Sequence, residues 1–442
     1  MTSPDTIVAV ASAPGRGAVG VIRVSGPAVP RIALDILGAL PAARSARLSR
    51  FLGAHGTLDE GIALYFPAPA SYTGEHVLEL QGHGGTLILD LLLKRLLELG
   101  CRMARPGEFS ERAFLNGKMD IAQAEAVADL IDAGTAAAAR AAVRSMRGEF
   151  SARVNELQAQ ITELRKLIEA GIDFPDEELD FLPQGALRAR LDGIFAAFDS
   201  ITAAARQGAL LREGLHVVIA GRPNVGKSSL LNQLVGDDVA IVADQPGTTR
   251  DVLRQHLHLD GMPLHLIDTA GLRTAADSVE AEGVRRARSE LAKADRVLYI
   301  LDAAAPDDGE QSPQDVPVTL VFNKIDLTGT PPHIEDSPDP PRIFLSAKTG
   351  AGIDLLRAHL KSSAGFSEGE SGALSARRRH LDALQRARQA VQRAAESLAR
   401  SQAHELFAED LRLAQAALSE ITGEFTSDDL LGEIFSSFCI GK

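Results

Sequence analysis

The chain of 442 residues has no tryptophan, three tyrosines and only two cysteines, Cys101 and Cys439. Two cysteines make no disulfide framework, and such sparing use fits a reducing compartment. A basic excess is missing too. The net charge is −13, which excludes a generally basic nucleic-acid coat but leaves room for a local patch. Long hydrophobic runs are absent: the most apolar stretch, Leu87 to Leu99, is broken by Asp90, Lys94 and Arg95, and a spanning helix needs about 20 apolar residues. The first residues, Met1-Thr2-Ser3-Pro4-Asp5, carry no charged-then-apolar leader, so a cytoplasmic protein away from the membrane is expected. What is there, 45% hydrophobic and 24% charged residues, is ordinary globular composition. The length suggests about two to four domains.

One stretch organises the rest. Gly221-Arg222-Pro223-Asn224-Val225-Gly226-Lys227-Ser228 follows the apolar run Val217-Val218-Ile219-Ala220 and precedes Ser229-Leu230-Leu231-Asn232-Gln233-Leu234. A strand, a glycine-bounded loop and a helix start are the context of a phosphate-binding loop. The glycines let backbone N–H groups turn inward around an anion, and the helix N-terminus adds partial positive charge. Lys227 would reach the β- and γ-phosphates and Ser228 would ligate Mg²⁺.

Around that loop the chain reads as several pieces. Residues 6–118 predict a mixed α/β domain with strands Thr6–Val10, Val19–Val24, Ile62–Phe66 and His76–Leu80 and a helix over 86–99. From about 119 the composition turns Ala-rich and helical, with Val127, Leu130 and Ile131 marking one face. Val154, Leu157, Ile161, Leu164 and Ile168 form a seam at alternating spacings of three and four. The acidic break Asp173–Asp180 reads as a solvated loop before another helix through about 206. Residues 215–362 alternate strands and helices as a doubly wound parallel sheet does. Ser362–Gly372 is a linker. Helices then resume, with Leu411, Ala414, Leu418 and Ile421 on one face and Leu430, Leu431, Ile434 and Phe435 on another, the latter behind a cap at Thr426. The expected fold is a multidomain α/β plus all-α chain: residues 1–118, a discontinuous helical domain of 119–212 and 365–442, and an inserted nucleotide domain of 213–364.

Four further elements at strand ends specify the nucleotide. Asp268-Thr269-Ala270-Gly271 follows Leu264–Ile267; its carboxylate can hold Mg²⁺ through water and the Gly271 N–H can sense a γ-phosphate. Asn323-Lys324-Ile325-Asp326 ends Thr319–Phe322. Asp326 can accept from guanine N1–H and its exocyclic amine together, which adenine does not match. Ser346-Ala347-Lys348 would close over guanine O6, and Gly247-Thr248-Thr249-Arg250-Asp251 supplies Thr249 as a second Mg²⁺ ligand. In this order they specify a GTPase. The position after Gly271 is Leu272, where Ras-like enzymes carry the glutamine that orients water, so Glu280 is the candidate to act instead.

The loop Gly221–Ser228, the segment Gly247–Asp251 and the ending Phe438-Cys439-Ile440-Gly441-Lys442 resemble the MnmE family of tRNA modification GTPases, as do Ser71-Tyr72-Thr73-Gly74-Glu75 and Pro106–Phe114 in the first domain. The resemblance implies an N-terminal tetrahydrofolate-binding and dimerisation domain, a homodimer, and partnership with the FAD-dependent MnmG. Together these would install a carboxymethylaminomethyl or aminomethyl group on C5 of wobble uridine in certain tRNAs, from a 5-formyl or 5,10-methylene folate. It implies that Arg23, Glu79 and Lys118, with Lys442 from the tail, contact the folate. It implies K⁺ on Asn224, Thr248 and the backbone oxygens of Ala243 and Gln245, and water activation by Glu280 with Lys227 and Gly271. The nucleotide would lie among Asn224-Val225-Gly226-Lys227-Ser228-Ser229, Ala243-Asp244-Gln245-Pro246-Gly247-Thr248-Thr249, Asp268–Gly271, Asn323, Lys324, Asp326 and Ser346–Lys348.

Three points stay open at this level. Cys439 is either a nucleophile in one-carbon transfer or a small apolar filler. Arg377-Arg378-Arg379-His380, Arg386, Arg388 and Arg393 either meet tRNA phosphate or form a solvated face. The rival activity is a GTPase that assembles RNA or ribosomes without one-carbon chemistry. A membrane-remodelling GTPase is disfavoured by the lack of an apolar or polybasic membrane patch.

Overall fold

The computed structural model describes residues 5–173, 184–235, 254–268, 294–305, 316–336, 339–366, 372–401, 404–423, 428–436, 438 and 441. The chain divides into two compact units, one of residues 1–131, 145–198 and 382–442, the other of 132–144 and 199–381.

In the first unit six strands form one sheet: β1 (Ile7–Val10), β2 (Val19–Ser25), β3 (Arg47–Gly53), β4 (Gly56–Phe66), β5 (Val77–His83) and β6 (Arg102–Met103), in the order β3-β4-β5-β2-β1-β6. Because side chains alternate along a strand, β2 and β5 send Ile22, Val24, Leu78 and Leu80 into a core with Ile32, Ile36, Leu89 and Leu92 of the helices Val29–Leu37 and Thr86–Glu98. The same alternation puts Arg23 and Glu79 on the opposite face, and the antiparallel register sets them side by side. Strand β3 and the helix Val29–Leu37 are additions to the sequence reading. β3 is an edge strand in which only Phe51 is buried, so it lacks the alternation that marks a half-buried strand.

A knot of charge closes this unit. Arg112 pairs with Asp5 at 2.7 Å, Glu75 at 3.0 Å and Glu108 at 3.1 Å, while Arg102 reaches Glu108 and Asp5, each at 2.6 Å. Ser25 Oγ donates to Glu75 at 2.8 Å. The segments Ser71–Glu75 and Pro106–Phe114, far apart in sequence, are thereby joined. Burial alone would raise the Glu108 carboxyl, but hydrogen bonds from Arg102, the Arg105 backbone and Arg112 outweigh it and hold it below its usual value.

Helices from both sides of the nucleotide segment pack as one body. Val154, Leu157, Ile161, Leu164 and Ile168 of Glu149–Asp173 are buried, as are Leu411, Ala414, Leu418 and Ile421 of His404–Thr422. Gln158 Nε2 donates to Ser419 Oγ at 3.0 Å, and Gln415 bonds both Thr162 and Arg165. The expected face Val127, Leu130, Ile131 is corrected: in the helix Ile121–Ile131 the buried positions include Ile121, Ala124, Glu125 and Asp129, and Ile131 is exposed. Polar residues in the buried stripe had hidden it. The helix expected to end near 206 runs Gln184–Glu213, and Ser362 and Ser363 belong to the helix Ile353–Ser363 rather than to a linker. Thr426 and residues 174–180 of the acidic break lie outside the described residues.

The second unit holds a sheet of seven strands: β7 (Leu215–Gly221), β8 (Arg254–Leu259), β9 (Met262–Asp268), β10 (Arg296–Asp302), β11 (Val318–Asn323), β12 (His333–Glu335) and β13 (Arg342–Phe344). Its order is β12-β13-β11-β10-β7-β9-β8. The middle is the parallel core expected of a doubly wound sheet, and β8 and β12 add antiparallel edges to it. The reason for β8 is local: Asp260 (φ 50) and Gly261 (φ 91) make a two-residue turn with both residues left-handed, which joins only antiparallel neighbours. Val217, Ile219, Leu230, Leu264, Leu298, Ile300, Val321 and Leu356 form its core.

The lowered Glu108 carboxyl has a testable sign. Its stabilisation is present above the usual pKa of 4.5 and is lost as pH falls through the lower folded value. Glu108→Gln should therefore cost about 3 kcal/mol at neutral pH, the low end for a broken buried pair because Arg112 keeps other partners. Thermal unfolding of both proteins should show this gap closing below pH 4.5. A gap that stays constant into acid would contradict it.

Candidate functional site

In the second unit the ends of parallel strands converge. β7 runs into the loop Gly221–Gly226, and the helix Lys227–Val235 follows directly. Gly221 (φ 139), Asn224 (φ 65) and Gly226 (φ 99) all take left-handed or similar backbone, so the loop turns tightly. A Cβ on Gly221 would overlap the Ile300 carbonyl, and one on Gly226 would overlap Asn323 Nδ2. Lys227 is buried, and its ammonium donates to the Gly221 and Arg222 carbonyls, each at 2.7 Å. The lysine thus lies across the mouth of the loop, while Ser228 and Ser229 are exposed at the helix start.

Asn323 ties three loops together. Its Nδ2 donates to the Val225 carbonyl at 2.8 Å, and its Oδ1 accepts from the N–H of Ala347 and of Lys324, each at 2.8 Å. Buried Ser346 donates to Asp326 Oδ1 at 2.6 Å, which fixes one oxygen of an exposed carboxylate. Its second oxygen has no partner among the described residues. Lys324 (φ 69) reaches Asp302 at 2.7 Å. The Lys324 hydrogen bond, against some burial, holds the Asp302 carboxyl below its usual value. Asp302 escaped the sequence reading, although a carboxylate ending an apolar parallel strand was the signal to look for. Lys348 is exposed. Asp268 ends β9 in register with Ile219 of β7, one strand from the loop. Ala243, Asp244, Gln245, Pro246, Gly247, Thr248, Thr249, Thr269, Ala270, Gly271, Leu272 and Glu280 lie outside the described residues.

The first unit carries a second constellation. Arg23 Nε donates to Glu79 at 2.9 Å, and its Nη1 donates to the Gly441 carbonyl at 3.3 Å. Tyr72 and Phe109 flank the guanidinium, with ring centroids 5.5 and 5.8 Å away. Tyr72 is held by Ser110 at 2.9 Å, so the charge knot also sets these two rings. The Arg23 Nη2 group has no partner among the described residues. A mostly buried cation with donors to spare, an acceptor carboxylate and two rings can hold a flat, polar, anionic molecule. Lys118 is exposed and donates to the Pro69 carbonyl at 3.2 Å; it bonds neither Arg23 nor Glu79. Cys439 and Lys442 lie outside the described residues, but Gly441 between them is buried.

The arginines of the helix Arg378–Ser401 are largely engaged. Arg386 pairs with Glu420 at 2.6 Å, Arg393 with Asp410 at 3.2 Å, and Arg388 stacks 5.4 Å from the Phe195 ring centroid. These contacts favour a structural face over a phosphate patch. Among the described residues no helix is long and apolar enough to cross a membrane.

Known proteins place the chain in a family. The family model for the GTP-binding protein TrmE N-terminus matches residues 6–118, and that for the MnmE helical domain matches residues 121–439. The tRNA modification GTPase MnmE of Pectobacterium carotovorum subsp. carotovorum (strain PC1) is 58% identical over 454 residues, covering 100% of both chains. That of Proteus mirabilis (strain HI4320) is 56% identical over the same span and coverage. The chain belongs to the MnmE family of tRNA modification GTPases. Among solved structures, the G domain of the T. maritima FeoB iron transporter is 26% identical over 34% of this chain and 98% of its own, at a TM-score of 0.24. Within the MnmE frame, Arg23 and Glu79 fall in the TrmE N-terminal match, and Cys439 is the last residue of the helical match.

The crowding at Gly226 makes the loop sensitive. Gly226→Ala would force a left-handed alanine at a cost of about 1–3 kcal/mol and push Asn323 off the loop. GTP affinity, read by titration with a fluorescent analogue, should fall at least about tenfold. Wild-type affinity would mean that the Asn323 tie does not shape the loop.

Proposed function

We propose that the chain is a GTP-hydrolysing tRNA modification factor that works as a homodimer with the FAD-dependent MnmG in the cytoplasm. It adds a carboxymethylaminomethyl or aminomethyl group at C5 of wobble uridine, taking the one-carbon unit from a 5-formyl or 5,10-methylene tetrahydrofolate. Residues 1–118 are the folate-binding and dimerisation domain, 119–212 and 365–442 the helical domain, and 213–364 the GTPase domain.

The observation that carries this reading is the Arg23–Glu79 pair between Tyr72 and Phe109, with the tail at its edge. The residues suit a folate: Glu79 is an acceptor for pterin N–H groups, Arg23 has spare donors for carbonyl or carboxylate oxygen, and the rings suit a flat face. Lys118 and Lys442 are the further cations assigned to it. A bound folate would supply the one-carbon unit, which no protein side chain carries. A GTPase that only assembles RNA has no use for such a site.

In the GTPase domain Lys227 would leave the loop carbonyls for the phosphates, and Asp326, steadied by Ser346, would accept from guanine. Ser228 and Thr249 would hold Mg²⁺. Asn224 is exposed on the loop with a neutral side-chain oxygen, which suits K⁺; Ala243, Gln245 and Thr248 are its other assigned ligands. The cation would supply charge stabilisation of the kind an arginine finger gives. Glu280 is assigned to orient water, since Leu272 cannot, with Lys227 and the Gly271 N–H on the γ-phosphate.

Mass spectrometry of wobble uridines tests the whole reading. A strain lacking this chain should lose the C5 group, the wild-type gene should restore it, and Arg23→Ala should not. Full modification in the deletion strain would refute the proposal. Hydrolysis tests the cation site separately: turnover should be faster in K⁺ than in matched Na⁺ buffer. Glu280→Ala should slow turnover at least about tenfold, or about 1.4 kcal/mol of barrier, with GTP affinity kept. Equal rates in the two buffers would remove K⁺ from the mechanism.

A further inference from the structure

The end of the chain meets residues of the N-terminal α/β region at two backbone seats, each made by a glycine. Gly107 (φ 68) precedes the helix Glu108–Leu115, and an added Cβ there would overlap the Phe435 carbonyl. Around the first seat and just beyond it, Ile434, Phe435 and Phe438 pack with Ile121 and Ala124. The second seat is Gly441 itself, buried at φ 99 against β1. A Cβ on it would overlap the Val10 carbonyl and come within 3.0 Å of Ala11 Cα. From there its carbonyl accepts from Arg23, whose Nε is already committed to Glu79.

We propose that Gly441 is a positioning residue: its side-chain-free, left-handed backbone seats the tail on β1 and so presents its carbonyl to Arg23, completing the Arg23–Glu79 site. The inference deepens the folate reading and rests on it for the ligand. The physical case is steric. L-residues are strained at this φ, and the Cβ of an L-residue would hold the tail off the strand. Lifted away, the tail no longer offers Arg23 an acceptor. The anchor helix Asp428–Ser436 would stay docked through Phe435 and Gly107, so the fault is confined to the last residues.

Cys439 allows a direct test, because a synthetic tetrapeptide Cys-Ile-Xaa-Lys can be ligated onto residues 1–438 to rebuild the full chain. Gly, L-Ala and D-Ala are compared at position 441. D-alanine favours positive φ and puts its methyl in place of the other glycine hydrogen. Two readouts are taken: hydrogen–deuterium exchange of the tail amides, expressed as protection relative to the unfolded tail, and calorimetric binding of 5-formyltetrahydrofolate. With L-Ala the tail should exchange at least about tenfold faster and the probe bind at least about tenfold more weakly. D-Ala should restore both, and the thermal midpoint should be the same in all three. Equal exchange in the Gly and L-Ala proteins would overturn the seat, and so would a D-Ala protein that behaves like L-Ala. If the Gly protein binds no probe while exchange still follows the expected order, the folate reading falls and the seat stands.

Discussion

The carboxamide of Asn323 is the contact on which the nucleotide site depends. One side chain satisfies the Val225 carbonyl and the N–H groups of Lys324 and Ala347, so the phosphate loop and both base-side loops are held at one depth. The arrangement works because Asn323 is buried, where each bond faces little competition from water and an unmet partner would be costly. Gly226 has no side chain because that carboxamide lies against it. The parallel strands do the coarse work of bringing the loops to one edge, and Asn323 does the fine work.

The N-terminal unit solves a similar problem with charge. Arg112 and Glu108 are buried together, and burying either alone would cost several kcal/mol. Their pairing therefore fixes the segments that carry them, and these segments deliver Tyr72 and Phe109 to the two sides of Arg23. Residues that look functional because they are charged, Glu75, Glu108 and Arg112, are spent on structure. The mostly buried pair Arg23 and Glu79 is what lies outside that knot.

The sequence by itself determined the phosphate loop, because Gly, Lys and Ser at fixed offsets between a strand and a helix admit few other local conformations. It determined Asp326 and Ser346, each at the end of a short apolar strand, and the two helical seams, whose spacing of three and four survives burial unchanged. Local chemistry was enough in each case. Tertiary structure alone decided that Arg23 meets Glu79 and Gly441, residues 56 and 418 positions away, since strand register and chain return leave no mark on neighbouring residues. It also decided that the helix Ile121–Ile131 buries Glu125 and Asp129 rather than Ile131. Hydrophobic pattern predicts a buried face only when the partners are apolar, and here what the other helices present, not the helix's own composition, sets which side is inside.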